Sequence, residues 1–208
     1  MQEKKIVFIL PAFAAKPDRP EYQQVGGFYE QKGFEPVFVE LRWNKKKPLA
    51  SQEAFQRQYF LTQADKKYIF GFSVGAQLGF HLAALDFTAA HGSRPEHLLL
   101  CSPSAYFKED LDMFRAKRGR GLPDLWAEEI NRFEWSKMVY QIQGSVSLVV
   151  GGEEQKEPFR SVAFARMQQT LTALRTQQKE MIVIPGVEHD LADPRYLATV
   201  ERIIAKLG

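Results

Sequence analysis

Apolar residues fall along this chain in short unbroken runs, and between the runs they recur at helical spacing. IVFIL (6–10), PVFVEL (36–41), YIFGF (68–72), LLLC (98–101), SVSLVV (145–150) and MIVI (181–184) read as six strands. Their continuous apolarity predicts strands covered on both faces, as in a parallel sheet. Between them Leu78, Leu82, Leu85 and Ala89 share one helical face, and so do Phe164, Met167, Leu171 and Leu174. Tyr196, Val200, Ile203 and Leu207 mark a C-terminal amphipathic helix, and 21–32 and 51–61 are shorter helix candidates. This alternation predicts an α/β fold: a mostly parallel, doubly wound sheet of about six strands with helices on both faces. In such sheets the functional residues belong on loops at the carboxyl ends of the strands.

One connection breaks the alternation. Residues 102–144 separate two strands and carry Tyr106, Phe107, Met113, Phe114, Trp126, Phe133, Trp135, Met138 and Tyr140. A connection of that length needs structure of its own and is expected to be a lid or cap inserted in a single domain spanning 1–208.

Composition narrows the partners. Lys plus Arg number 28 and Asp plus Glu 25, a net charge of +3, which argues against nucleic acid and against an anionic membrane surface. The basic runs at 45–47 and 115–120 read as solvated surface charge. The single cysteine, Cys101, excludes an internal disulfide and sits in an apolar run, where a small buried residue is expected. No stretch is long enough to span a membrane, and the apolar run near the start is too short for a secretory signal. A cytoplasmic protein is the default expectation.

GFSVG at 71–75 follows a strand directly and opens an apolar helix. This is the context of a G-x-S-x-G nucleophile elbow. Ser73 must hold a strained backbone so that its hydroxyl projects clear of the sheet, and Gly71 and Gly75 leave room for strand and helix to pass closely. The start of the helix presents unpaired N–H groups, so the N–H of Val74 can donate to an oxyanion. The bland alternative is a tight turn whose Ser caps the helix. A serine nucleophile needs a base, and the base needs an orienting carboxylate. Of the four histidines, His81, His91 and His97 read as structural or solvated. His189, in IPGVEHDL after the last strand, lies on the same sheet edge as Ser73 and can take its proton. Glu153 and Glu154 follow a buried strand and a glycine pair; the spacing from Gly151 favours Glu154 as the orienting acid, with Glu153 second. Asp190 and Asp193 are rivals by proximity to His189, but Asp193 before Pro194 suits a helix cap.

These residues resemble the α/β-hydrolase superfamily, in the order Ser73, Glu154, His189. The resemblance covers nearly the whole chain: LPAFAA looks like the oxyanion loop, PSAYF the segment leading into the cap, VVGGEE the acid-bearing turn and PGVEHDL the histidine turn. It implies the α/β-hydrolase fold lacking the first two strands, as in small esterase and thioesterase-like members. It also implies a second oxyanion N–H from Phe13, and a substrate pocket near Ala12, Tyr106 and Phe107. Two departures stand out: Pro11-Ala12 replaces the common His-Gly, and the acid is Glu rather than Asp. The activity expected is that of a serine hydrolase cleaving a small ester or thioester, without metal or organic cofactor. The alternative that Pro11-Ala12 keeps open is a weak or inactive member of the same fold that binds a small ligand or a protein.

Overall fold

A computed structural model describes residues 3–41, 51–85, 93–104, 107–112, 128, 130–157 and 160–207. Both basic runs, His91, Tyr106 and much of the 102–144 insertion lie outside these residues.

Six strands form one sheet: β1 (Lys5–Leu10), β2 (Glu35–Phe38), β3 (Lys66–Phe72), β4 (His97–Cys101), β5 (Ser145–Gly151) and β6 (Lys179–Ile184). Their order is β2-β1-β3-β4-β5-β6, and every adjacent pair is parallel. The expected "mostly parallel" sheet is therefore parallel throughout. The four central strands are buried along almost their whole length, as their unbroken apolarity requires. The outer two differ from expectation. β2 stops at Phe38, short of the predicted Leu41, and both β2 and β6 are only half-buried, because each has a neighbour on one side alone. Pro36, which cannot donate to a ladder, is tolerated at such an edge.

The helices divide between the two faces. Ile6, Phe8, Ile69, Leu98, Leu100, Val146 and Leu148 pack with residues of α2 (Ser51–Leu61), α3 (Val74–Ala83) and α4 (Arg160–Ala173). Val7, Ile9, Phe70, Leu99 and Val149 pack with residues of α1 (Pro20–Glu30) and α5 (Pro194–Ala205). The alternation of odd and even strand positions between these two cores is the two-residue period of a strand covered on both sides. α3 is buried over its full length, which its nearly unbroken apolar sequence anticipates.

Gly75 fixes how closely α3 approaches the sheet. A Cβ at this position would lie well inside van der Waals contact of the Leu10 and Pro11 carbonyl oxygens, where β1 runs into its following loop. Gly75→Ala is expected to cost at least about 1–3 kcal/mol through overpacking against backbone that cannot rotate away. Denaturant midpoints of parent and variant check this; an unchanged midpoint contradicts it.

Candidate active site

Ser73 joins β3 to α3 with φ 58° and ψ −118°, a conformation that L-residues rarely adopt. A backbone held this way costs roughly 1–3 kcal/mol and persists only where the surroundings enforce it. They do so here. The Ser73 N–H donates to the Cys101 carbonyl at 2.8 Å, and the Ser73 carbonyl accepts from Gln77 N–H at 3.2 Å and Ser104 N–H at 3.4 Å. A Cβ on Gly71 would meet the Ala76 backbone at 2.6 Å, so strand and helix pass with no space between them. The Ser73 hydroxyl makes no capping bond, which removes the helix-cap explanation for this serine. Ser73 is 6 % exposed.

His189 follows β6 on the loop leading to α5, and Glu154 lies in the 3-10 turn Gly152–Lys156 after β5. The two loops interlock: Glu153 N–H donates to the Val187 carbonyl at 3.0 Å, and a Cβ on Gly151 would collide with the Val187 and Glu188 carbonyls. Nδ1 of His189 meets Glu154 Oε2 at 2.9 Å. The imidazole packs on the ring of Phe72, the residue preceding Ser73, with centroids 4.7 Å apart and planes tilted by 31°. His189 is thus brought to the end of β3, though no hydrogen bond joins it to the Ser73 hydroxyl among the described residues.

The paired glutamates part company. Glu154 is 2 % exposed and faces His189, whereas Glu153 pairs with Lys156 at the surface. The other Glu154 oxygen accepts from Ser102 Oγ at 2.5 Å and from Gly151 N–H at 2.9 Å. Burial alone would raise the Glu154 pKa. Hydrogen bonds from His189, Ser102 and Gly151 and the attraction of the imidazole outweigh it and hold the carboxyl below its ordinary range. Burial pushes the His189 pKa below its ordinary 6.5; the bond to Glu154 opposes this, and the Arg160 charge adds to it. The pair therefore stands as a carboxylate beside a neutral imidazole, with Nδ1–H donating to Glu154 and Nε2 left as the basic nitrogen. Asp193 caps α5, its side chain accepting from Arg195 N–H at 2.8 Å, and Asp190 accepts from Ala192 N–H at 2.9 Å.

After β1, the loop Pro11–Ala14 lies against the start of α3 through Gly75. The Ala12 N–H is taken by the Tyr22 hydroxyl at 2.8 Å. Phe13 is 50 % exposed, and Ala14, rather than Ala12, carries the positive φ of this turn, 56°. Val74 is the first residue of α3, where helix N–H groups have no intrahelical acceptor. Phe107 is buried and, with Gln77, Phe80, Leu100, Ser104 and Met167, lines a narrow cavity of about 20 Å³. Tyr106 lies outside the described residues. His81 and His97 are buried, His81 stacked on Phe133 at 3.8 Å and His97 bonded to Ser147 at 3.2 Å. Cys101 is buried and free. Among the described residues no group of three or more His, Cys, Asp or Glu converges as a metal site would require, and no helix is long and apolar enough to cross a membrane.

Two residues escaped the sequence reading. Ser102 follows β4 with φ 46° and bonds Glu154, and the Tyr196 hydroxyl of α5 lies 2.8 Å from Ser102 Oγ. Tyr196 reads in sequence as one member of an apolar stripe, which gives no sign of its hydroxyl. For Ser102 a signal existed: a serine immediately after a buried strand, at the carboxyl edge of the sheet.

No family model and no curated protein matches the chain. Solved structures do. Est1E from Butyrivibrio proteoclasticus superposes with a TM-score of 0.72 at 14% identity, covering 97% of this chain and 86% of that one. Alpha/beta hydrolase domain-containing protein 10 from mouse gives 0.69 at 13% identity, over 99% and 90% of the two chains. Dienelactone hydrolase from Anabaena variabilis gives 0.63 at 16% identity, over 97% and 83%.

With Glu154 raising and burial lowering its pKa, the His189 ring is expected to titrate below 6.5. Glu154→Gln removes the charge that favours the imidazolium, so the midpoint falls further. NMR titration of the ring checks both; a midpoint that rises in Glu154→Gln contradicts the arrangement.

Proposed function

We infer the function of this chain from its α/β-hydrolase fold, a six-stranded, open, fully parallel sheet with helices on both faces. From that premise we propose that it is a serine hydrolase that cleaves a small carboxylic ester or thioester through an acyl-enzyme on Ser73. One observation carries the reading: the His189 imidazole, bonded to Glu154, packs at a tilt against the ring of the residue next to a strained, uncapped serine.

In the proposed reaction, His189 Nε2 takes the Ser73 proton as Oγ attacks the substrate carbonyl. The N–H groups of Val74 and Phe13 hold the oxyanion; in other enzymes, loss of one such donor costs about 2.7–4 kcal/mol of transition-state stabilisation. The imidazolium, steadied by Glu154, then protonates the leaving alcohol or thiol. Water, deprotonated by the same imidazole, attacks the acyl carbonyl, and the acid leaves as Ser73 regains its proton. No metal or organic cofactor enters any step. The cavity lined by Phe107 and Met167 adjoins the residues bonded to the Ser73 carbonyl; at about 20 Å³ it has room for about one water molecule and not for an acyl or aryl group. The 102–144 insertion is proposed as a lid or cap on this domain. Est1E has been solved with ferulic acid bound, which brings esters of aromatic acids into the substrates to be tried beside acyl esters and acyl-CoA thioesters of rising chain length.

A fluorophosphonate probe is expected to label the parent protein at Ser73 and to leave Ser73→Ala unlabelled. A well-folded parent that resists labelling contradicts the proposal and favours a binding protein of the same fold. Glu154→Gln should reduce kcat by up to about 10⁴-fold, because the wrong imidazole tautomer is then held, while Glu153→Gln stays close to the parent. Comparable effects from the two substitutions overturn the choice of acid. As pH falls, kcat/KM should decline with an apparent pKa below the ordinary histidine value of about 6.5, since the neutral ring is the active form.

A further inference from the structure

Resting on that reading, we infer that Ser102 is a positioning residue for the same reaction: its hydroxyl, backed by Tyr196, holds the Glu154 carboxylate in the orientation that faces His189.

The first support is a count of protons. Glu154 is a carboxylate, so both its oxygens can only accept. The single hydroxyl proton of Ser102 must therefore point at Glu154 Oε1, 2.5 Å away. Ser102 Oγ can then only accept from Tyr196, at 2.8 Å. The Tyr196 hydroxyl has three acceptors in reach: Ser102 Oγ, the Val149 carbonyl at 2.9 Å and the Cys101 thiol. The Val149 carbonyl, with two lone pairs, accepts both the Ser102 N–H at 2.7 Å and the Tyr196 hydroxyl; with the Ser102 proton committed to Glu154, a bond between the two hydroxyls can only be donated by Tyr196. Polarity thus runs one way, from Tyr196 through Ser102 to Glu154, and cooperative polarisation strengthens the last bond.

The second support is the backbone. Ser102 holds φ 46°, where glycine fits without strain and serine does not. A turn alone would be served by glycine; what serine adds at this position is the hydroxyl, and that hydroxyl is spent on Glu154. The third is location. Ser102 follows Cys101, whose carbonyl accepts the Ser73 N–H, so one short segment of β4 supports both the elbow and the acid.

The charged and titratable groups around Glu154 come from four elements. His189 faces it from the loop after β6, and Arg160 at the start of α4 approaches to 4.0 Å. Tyr196 faces it from α5 and the Cys101 thiol from β4; burial drives both pKa values upward, so both stay neutral. Ser102 and the Gly151 N–H are the two donors to Oε1. Without Ser102 the buried anion is stabilised less, and the Glu154–His189 pair takes up its proton at higher pH.

Ser102→Gly tests this, since glycine suits the local backbone and removes the CH2OH side chain that carries the donor. The expected result is a kcat lowered roughly 10–100-fold with KM unchanged, the loss of one hydrogen bond to a charged group. The acid limb of kcat/KM and the NMR titration of the His189 ring should both move to higher pH, while thermal stability is kept. Tyr196→Phe leaves the Ser102 donor in place and should lose less. An active parent whose Ser102→Gly variant keeps both kcat and the His189 titration overturns the inference and leaves the hydrolase reading intact. The titration needs no turnover: a parent inert to esters and to the probe, whose His189 still shifts in Ser102→Gly, overturns the hydrolase reading alone.

Discussion

The chain reverses from strand to helix across one residue, and the site is built around that reversal. Ser73 occupies backbone space that costs free energy, and three main-chain hydrogen bonds together with two glycine contacts keep it there. Relaxing the turn would move the hydroxyl, withdraw the first N–H groups of α3 and open the packing between α3 and the β1 loop. Serine hydroxyl, helix N–H groups and loop position are thus one constraint seen from three sides.

A second constraint is dielectric. Glu154 is almost wholly buried, and an isolated carboxylate there would protonate rather than stay charged. Four neighbours reconcile charge with burial: an imidazole, a serine hydroxyl, a backbone N–H and a nearby guanidinium. The same burial keeps His189 neutral and basic. One environment therefore pushes two adjacent groups into complementary states, the pattern expected of an acid–base site.

Most of the fold was legible because buried parallel strands advertise themselves as unbroken apolar runs, and all six were found. Their ends were less legible: β2 was read three residues too long because Val39 and Leu41 are buried outside the ladder, and hydropathy does not distinguish the two. Ser73 could be read because a glycine-flanked serine between strand and helix has a steric meaning. His189 could be placed by its position after the last strand. Glu154 and Glu153 were harder. Adjacent residues in a 3-10 turn point in different directions, and which one turns inward is settled by contacts with the Val187–Glu188 backbone, far away in sequence. Ser102 and Tyr196 were missed for a related reason: their hydroxyls meet across 94 positions of chain.

The strand order carries a further consequence. Because β3, β4, β5 and β6 stand side by side, Ser73, Ser102, Glu154 and His189 arrive along one rim from the carboxyl ends of four successive strands. Parallel neighbours cannot pair until the intervening helix has closed the loop, so contacts of this kind form late and together. No fragment with fewer than these four strands holds the constellation. Its geometry is a property of the completed topology, and a thermal or chemical perturbation that detaches any one of them disperses the whole constellation.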